Sequence, residues 1–374
     1  KKDARPPPRE KIVREVAGAR PSVFRGHTGY PNVSIGQMTS FNPDSAGIQD
    51  DPGKWYGLGF DDIIAYRSGL IRSRQSHAVR GKSRLTDDLR EIALSTSPVD
   101  VEAYYRKKPR FTIEFNPVSQ PLGPSAEIQK LLVSGNPKIP RKVDYIVSDE
   151  LKSSSQLSLL YDRDFDVHYL SQTLSTGCLG LEKAQRMVPT RWSITATDDI
   201  LGKKLVEDLR DLASINEIMV YENTYLGNHF EVLLIPGSWE FELFEAWSPD
   251  TLWTHGASEP VIQVEHEGYG GRSRYAFNEG GGYYAARFAA AEALKNMDRQ
   301  ARTVIFREIY DSYVVPVGVW EVRENVRTAM RKKPVKYETV REALKTVESR
   351  LTIPIENYLR DSRVLSQKRI TDYF

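Results

Sequence analysis

Cysteine is almost absent from the chain, since Cys178 is the single cysteine among 374 residues. One cysteine excludes an internal disulfide and every zinc motif built on two or four cysteines, and it fits a reducing compartment such as the cytoplasm. Histidine is also sparse: the six histidines are scattered, and the nearest two, His255 and His266, are eleven residues apart. No pair at i and i+4 is therefore available to hold a metal on one face of a helix.

Long apolar runs are absent as well. Uninterrupted stretches such as residues 232–235 fall far short of the ~20 residues that a membrane-spanning helix needs. The chain begins at Lys1 without an apolar signal core, so neither membrane insertion nor export is predicted. Nor does one sign of charge dominate, because the chain contains 52 Lys and Arg and 50 Asp and Glu, which gives a formal net charge of +2. Nucleic-acid binding would therefore require local clusters of basic residues.

What is present suits a folded protein: 40% of the residues are apolar and 27% are charged. At roughly 150 residues per domain, the length suggests two domains, and the most flexible stretch of the sequence, rich in glycine, follows a boundary that we place near Glu259. The predicted organisation is an N-terminal tail at 1–19, a first domain at 20–259, a second domain at 260–362 and a C-terminal tail at 363–374.

The spacing of apolar residues predicts an α+β fold without regular βαβ alternation. Residues 21–55, rich in Gly, Pro, Ser and Asn, predict irregular structure. Three segments that alternate or run apolar, with β-branched and aromatic residues, are separated by Gly227-Asn228 and Pro236-Gly237 and predict an antiparallel meander at 218–221, 230–235 and 239–247. Helices are predicted at 60–70, 201–212, 283–294 and 338–351.

The last eight residues fit the pattern Q-x-x-(aliphatic)-x-x-(aromatic)-(aromatic), by which many DNA-processing proteins bind the sliding clamp PCNA. Ile370, Tyr373 and Phe374 stand at i, i+3 and i+4, so one helical turn would bring them into a single apolar plug. Gln367, one turn earlier, offers an amide donor and acceptor. The alternative is a final helix that packs on its own domain, but an aromatic pair at the very terminus favours clamp binding.

A basic run in the first half of the chain is the second signal. Between Ile63 and Leu85 no acidic residue interrupts six cations, which are Arg67, Arg72, Arg74, Arg80, Lys82 and Arg84. Cations interleaved with serine and glutamine suit the phosphates of DNA, and a solvated helix face and loop is the equally weighted alternative.

Adjacent carboxylates form the third signal. Asp198 and Asp199 could hold a divalent ion for phosphodiester chemistry, with Arg191 on the phosphate. Two aspartates ahead of the predicted helix at 201–212 are more simply its N-terminal cap, which is the interpretation we favour. A fourth signal, glycines 280–282 before a helix containing Arg287, could receive an anion on bare backbone amides, or could equally be a turn.

Many short stretches together give the chain an end-to-end resemblance to the archaeal Nre family of DNA-repair proteins (NreA type). The stretches that carry this resemblance are Pro21-Ser22-Val23-Phe24, Gly29-Tyr30-Pro31-Asn32-Val33, Asn136-Pro137-Lys138-Ile139-Pro140, residues 179–199, Gly282-Tyr283-Tyr284-Ala285-Ala286-Arg287 and Pro316-Val317-Gly318-Val319-Trp320.

The resemblance implies two Nre domains, a C-terminal PCNA-binding motif, and a DNA-repair role in the cytoplasm at the nucleoid. It supplies no catalytic residues. Family members often carry a cysteine-rich, zinc-binding N-terminal segment, and none is present from Lys1 onward, so zinc is expected only in such a preceding segment. We expect a recruited, DNA-binding repair factor without a cofactor of its own. The alternative is a clamp-recruited, metal-dependent nuclease or phosphate-processing enzyme that acts through Arg191, Asp198 and Asp199.

Overall fold

The computed structural model describes residues 15–20, 22–26, 28–40, 45–109, 114–116, 119–251 and 253–366. Within these ranges the strands are β1 (Glu15–Arg20), β2 (Ser22–Arg25), β3 (Asn32–Ser40), β4 (Leu70–Ala78), β5 (Val99–Tyr105), β6 (Glu114–Asn116), β7 (Ser119–Leu122), β8 (Ser125–Val133), β9 (Ile218–Tyr225), β10 (Asn228–Ile235), β11 (Glu240–Trp247), β12 (Val261–Glu267), β13 (Arg302–Ile309) and β14 (Val335–Tyr337). The α-helices are α1 (Ala46–Gln49), α2 (Phe60–Ser68), α3 (Arg84–Leu94), α4 (Arg141–Ser148), α5 (Ser153–Tyr161), α6 (Val167–Ser175), α7 (Thr190–Leu209), α8 (Gly281–Asn296), α9 (Trp320–Arg331), α10 (Val340–Glu348) and α11 (Ile355–Leu359).

Two mixed sheets with helices confirm the predicted α+β class. In the parts of the chain that the structure describes, no helix is long and apolar enough to cross a membrane. The chain divides into two compact units between Leu201 and Gly202, with residues 315–317 belonging to the first. This division lies upstream of the predicted boundary near Glu259, because strands β9 to β11 belong to the sheet of the second unit.

The first unit is organised on a six-stranded sheet in the order β1-β5-β8-β4-β3-β2, in which β4 and β8 are parallel. Strand β3 lies inside the segment that was predicted to be irregular. Val33 and Ile35 alternate with Ser34 and face the core that also contains Ile71 and Val101, a short strand pattern that the Gly, Pro, Ser and Asn content of the segment outweighed in the prediction.

Helix α7, which begins in the first unit, corrects one prediction from the sequence. It begins at Thr190, directly after Pro189, whose carbonyl accepts the backbone N–H groups of Trp192 and Ser193. Proline suits the start of a helix because it has no backbone N–H to leave unpaired there. Asp198 and Asp199 therefore lie in the interior of the helix, and the predicted N-terminal cap at these two residues is wrong.

The second unit contains a six-stranded sheet in the order β12-β11-β13-β10-β9-β14. Strands β9 and β10 form the predicted antiparallel hairpin, and its turn places Leu226 and Gly227 at positive φ, as tight hairpin turns require. Strand β11, the third strand of the predicted meander, does not pair with β10. Strand β13 lies between them, antiparallel to β10 and parallel to β11.

Aromatic side chains fill the core of this sheet on the side of α10 and α11. Phe244 on β11 is fully buried and stacks on Phe306 of β13, with ring centroids 5.4 Å apart. Tyr358 of α11 meets both rings edge to face, at 5.5 and 5.3 Å. This arrangement joins α11 to the two parallel strands, and edge-to-face contacts add to the stabilisation from apolar burial.

We predict that Phe244→Ala lowers the free energy of unfolding of the second unit by about 3 to 5 kcal/mol, because it removes a fully buried ring and leaves a cavity between Phe306 and Tyr358. Urea unfolding followed by circular dichroism measures this loss. Tyr145→Ala is the control, since that ring on α4 is 72% exposed and its removal should change stability by no more than about 0.5 kcal/mol. Equal losses in the two variants would contradict the assignment of this core.

Candidate nucleic-acid interface

The basic run identified in the sequence extends from the end of α2, along β4, to the start of α3. Helix α3 begins where it does because Ser83 and Thr86 form a capping box: the Ser83 hydroxyl accepts the Thr86 N–H, and the Thr86 hydroxyl accepts the Ser83 N–H. This cap sets where the loop 79–83, which carries Arg80 and Lys82, ends and the helix begins.

Two of the six cations are buried in the first unit. Arg67 is paired with Asp50, and burial, together with the nearby charge of Arg72, lowers the pKa of Arg67 to about 10. The Arg72 Nε donates to the Gly123 carbonyl at 3.4 Å. These two guanidinium groups hold the interior of the first unit together, so they are not available to a ligand at the surface.

The other four cations are exposed and form what we call the basic surface, Arg74, Arg80, Lys82 and Arg84. Lys82 lies 3.7 Å from Glu182, but both side chains are about three-quarters exposed, so water screens the pair and leaves it weak. A phosphate group could compete for such a lysine.

A further basic segment, which the sequence analysis did not single out, adjoins Arg74. Glu127 of β8 is the neighbour of Arg74 across the sheet, and the Arg106 N–H donates to the Glu127 carbonyl at 3.0 Å. The Arg106 guanidinium also lies 3.4 Å from the Glu127 carboxylate, and Lys107 and Lys108 follow, both exposed. Three consecutive cations were visible in the sequence, but only the pairing of β5, β8 and β4 brings the first of them, Arg106, one strand away from Arg74.

The residues of the catalytic alternative are dispersed along α7. Arg191 is exposed in the first turn, Asp198 is fully buried and Asp199 is partly buried. Consecutive residues on a helix point ~100° apart, so the two carboxylates do not converge on one point. Both aspartates have interaction partners within the protein. Among the described residues, no three His, Cys, Asp or Glu side chains are grouped as metal ligands would be.

The predicted clamp motif lies outside the described residues, which end at Ser366. Gln367, Ile370, Tyr373 and Phe374 therefore remain a prediction from the sequence pattern.

The second unit contains a buried network of charged groups centred on Arg307 of β13. Its guanidinium is paired with Glu245 of β11 and with Glu321 of α9 at 3.5 Å, and it donates to the Asn228 side-chain oxygen at 2.7 and 3.0 Å. The Asn325 side chain donates to Glu321 at 2.9 Å. Burial raises the pKa of Glu321 to about 7, although the Arg307 charge opposes the shift.

The glycines at the start of α8, a possible anion site in the sequence, already accommodate a carboxylate of the protein. A Cβ atom at Gly282 would collide with the Oε1 atom of Glu245, so glycine is required there for the carboxylate to approach the first turn of the helix. Arg287, the other candidate in this segment, is buried and paired with Glu267 at 3.0 Å. The start of α8 and Arg287 therefore interact with carboxylates of the protein itself.

Glu279, just before α8, is a buried carboxyl group near the same charges. Its side chain is buried, and among the described residues neither of its carboxylate oxygens has a hydrogen-bond partner. Burial raises the pKa of Glu279 well above its ordinary value, and the charges of Glu245 and Glu265 raise it further. A carboxyl group in this environment is more stable when protonated.

The observations so far define a two-unit α+β protein with an exposed basic surface on one unit and a buried charge network in the other. Family models for the archaeal Nre N-terminal and C-terminal domains match residues 4–254 and 267–373. The chain therefore belongs to the archaeal Nre family, as its sequence resemblance predicted. The predicted boundary near Glu259 falls between the two family models.

Named relatives match over nearly the whole chain. The DNA repair protein NreA of Archaeoglobus fulgidus is 36% identical over 357 residues, which are 95% of this chain and 88% of that protein. The DNA repair protein NreA of Haloferax volcanii is 33% identical, covering 96% of this chain and 87% of its own. The DNA repair protein NreB of A. fulgidus is 33% identical, covering 97% and 92%. No solved structure matches this chain.

We predict that Glu279→Gln stabilises the protein increasingly as the pH rises from 5 to 8. The raised pKa of Glu279 means that the folded state keeps a proton that the unfolded state loses above about pH 4.3. The stabilising contribution is complete below that value and is lost as the pH rises, whereas glutamine does not titrate. The variant should gain stability relative to the wild type for as long as the pH stays below the folded-state pKa of Glu279, by at most about 1.4 kcal/mol per pH unit.

Urea unfolding at pH 5, 6, 7 and 8 tests this pH dependence. Glu150→Gln is the control, because Glu150 is exposed and lies outside the buried network. A stability difference between Glu279→Gln and the wild type that stays constant across this range would contradict the raised pKa.

Proposed function

We propose that this protein is a DNA-repair factor that binds DNA through its basic surface and is recruited by the sliding clamp PCNA through residues 367–374. The exposure of Arg74, Arg80, Lys82 and Arg84, four cations close together in the chain of the first unit, carries the DNA-binding part of the proposal. The role in repair is supported by the relatives, which are named DNA repair proteins. Such a factor would work at the nucleoid in the cytoplasm and would need no cofactor.

The proposed DNA contact is electrostatic. Exposed arginine and lysine side chains on a strand and its following loop can neutralise phosphates, and they release the counterions that DNA condenses around itself. Arg106, Lys107 and Lys108 would extend the same contact beyond β5. Phosphate contacts position a protein without reading sequence, so binding should tolerate any sequence.

The proposed clamp contact is a coupled ordering and binding event. Ile370, Tyr373 and Phe374 would form the apolar plug, and each side chain stabilises the complex by roughly 1.5 to 3 kcal/mol when fully buried. That gain offsets the entropy lost when a terminal segment becomes ordered on its partner. Gln367 would add hydrogen bonds beside the plug.

We predict that Gln367→Ala combined with Tyr373→Ala and Phe374→Ala abolishes PCNA binding in isothermal titration calorimetry, because the three substitutions remove the anchors of the motif. The melting temperature should stay unchanged, since the proposal assigns these side chains to the clamp and not to the core. Lys368→Ala with Asp372→Ala is the matched control, because it alters the same segment only at positions that the motif leaves free. Unchanged affinity in the triple variant would refute clamp recruitment, and a large loss of thermal stability would support packing on the protein itself.

We predict that Arg74→Glu with Lys82→Glu weakens binding to duplexes of all sequences alike. The slope of log affinity against log salt concentration should become shallower by about 0.9 for each duplex phosphate that the variant no longer neutralises. Fluorescence anisotropy with labelled duplexes at several salt concentrations measures both effects. Arg141→Glu with Lys142→Glu is the matched control, because it makes the same charge change at two exposed residues of α4.

Two results would contradict the proposed DNA contact. Affinity of the wild type that does not change with salt would exclude phosphate binding. An equal loss of affinity in the control variant would assign the effect to net charge and not to the basic surface.

A further inference from the structure

A glycine-rich loop of the second unit, residues 268–280, carries three exposed aromatic rings, and we call it the aromatic loop. Phe277 is 81% exposed, Tyr269 50% and Tyr275 45%. Tyr275 and Phe277 meet edge to face with centroids 5.3 Å apart, and Tyr275 also packs on Tyr284 of α8 at 5.5 Å. Single exposed apolar residues are common on proteins, but aromatic rings gathered on one short loop are typical of an interaction site.

The backbone of this loop is held in place by hydrogen bonds to β12 and α8 of the same unit. The Glu265 carboxylate on β12 accepts the Arg272 guanidinium at 2.8 Å with one oxygen and the Asn278 N–H at 3.0 Å with the other. The Ala276 N–H donates to the Tyr284 hydroxyl at 3.1 Å. The exposed rings therefore project from an anchored segment, and little conformational entropy would be lost when a ligand stacks on them.

The charges around the rings favour an anionic partner. Arg274 is exposed within the loop, and the Arg210 guanidinium lies over the Tyr269 ring, 5.2 Å from its centroid. Two of the acidic groups nearby are not open to a ligand: Glu279 is buried, and Glu265 is engaged by the loop itself. Flat apolar rings beside the exposed Arg274 and the partly buried Arg210 match a ligand with flat, uncharged rings joined by phosphates.

Unpaired nucleotides offer uncovered base rings joined by phosphates, whereas a duplex offers its phosphates but not its base faces. The faces of the bases in a duplex are covered by their neighbours in the stack, whereas a single strand can place each base on an aromatic side chain. Such stacking accepts every base because every base has a π-face.

We propose that the aromatic loop binds single-stranded DNA by stacking unpaired bases on Phe277 and Tyr275, with Arg274 at the phosphate backbone. This inference deepens the proposed DNA-binding function, on which it rests, and it assigns a second contact with a different preference. The basic surface of the first unit would bind phosphates of any DNA, and the aromatic loop would select DNA with exposed bases.

The test measures, by fluorescence anisotropy, the affinity of the protein for three labelled ligands. These are an oligothymidine strand, a strand of the same length made of abasic sugar phosphates, and a duplex. Phe277→Ala should weaken binding of the oligothymidine about 5- to 150-fold, which corresponds to the 1 to 3 kcal/mol of one base stacked on an aromatic side chain. Affinity for the abasic strand and for the duplex should be the same in the variant and the wild type. Phe277→Trp should restore binding of the oligothymidine, because the indole ring also stacks.

Tyr145→Ala is the matched control, since it removes an aromatic ring of similar exposure from α4 in the first unit. An unchanged affinity of Phe277→Ala for the oligothymidine would overturn the inference, while salt-dependent duplex binding would leave the proposed function standing. Equal losses of affinity for the oligothymidine and the abasic strand would also overturn it, because the effect would not come from bases. A weakened interaction of Phe277→Ala with PCNA, with DNA affinity intact, would reassign the loop to a protein partner.

Discussion

The guanidinium group of Arg307 is buried among partners from three other elements of the second unit: Glu245 of β11, Glu321 of α9 and Asn228 of β10. A buried charge without partners is destabilising by several kcal/mol, so these elements must keep their positions around β13. The constraint extends to the start of α8, where Gly282 leaves room for the carboxylate of Glu245. Arg307 thus connects the centre of the sheet to α9 through Glu321, and to the start of α8 through Glu245.

The sequence predicted those parts of the fold that depend on local patterns. The hairpin of β9 and β10 was predictable because Gly227 marks a tight turn between two apolar runs. The place of β11 was not, since its pairing with β13 joins residues that are far apart in the chain and leaves no local signal. The start of α7 was predicted too late in the chain, because Asp198 and Asp199 resembled an N-terminal cap more strongly than Pro189 did.

The candidate site was predictable in residue type but not in exposure. A run of cations identifies a basic segment, yet the sequence does not distinguish Arg72, buried in a strand, from Arg74, two residues further on and exposed. Likewise, Arg106 and Arg74 are neighbours of the same residue, Glu127, only because β8 lies between their strands. The buried carboxyl of Glu279 had no signal at all, since its surroundings come from β11, β12 and β13.

The position of β13 has a consequence for the synthesis of the protein. Strands β10 and β11 end by Trp247, but the strand that separates and joins them begins only at Arg302. On the ribosome, both strands therefore emerge with an unpaired backbone edge, and pairing must overcome the entropy of closing a long loop. Exposed apolar edges favour association between chains. Completion of this sheet during translation thus waits for Ile309 to leave the exit tunnel, and a nascent chain stalled before that point exposes unpaired strand edges.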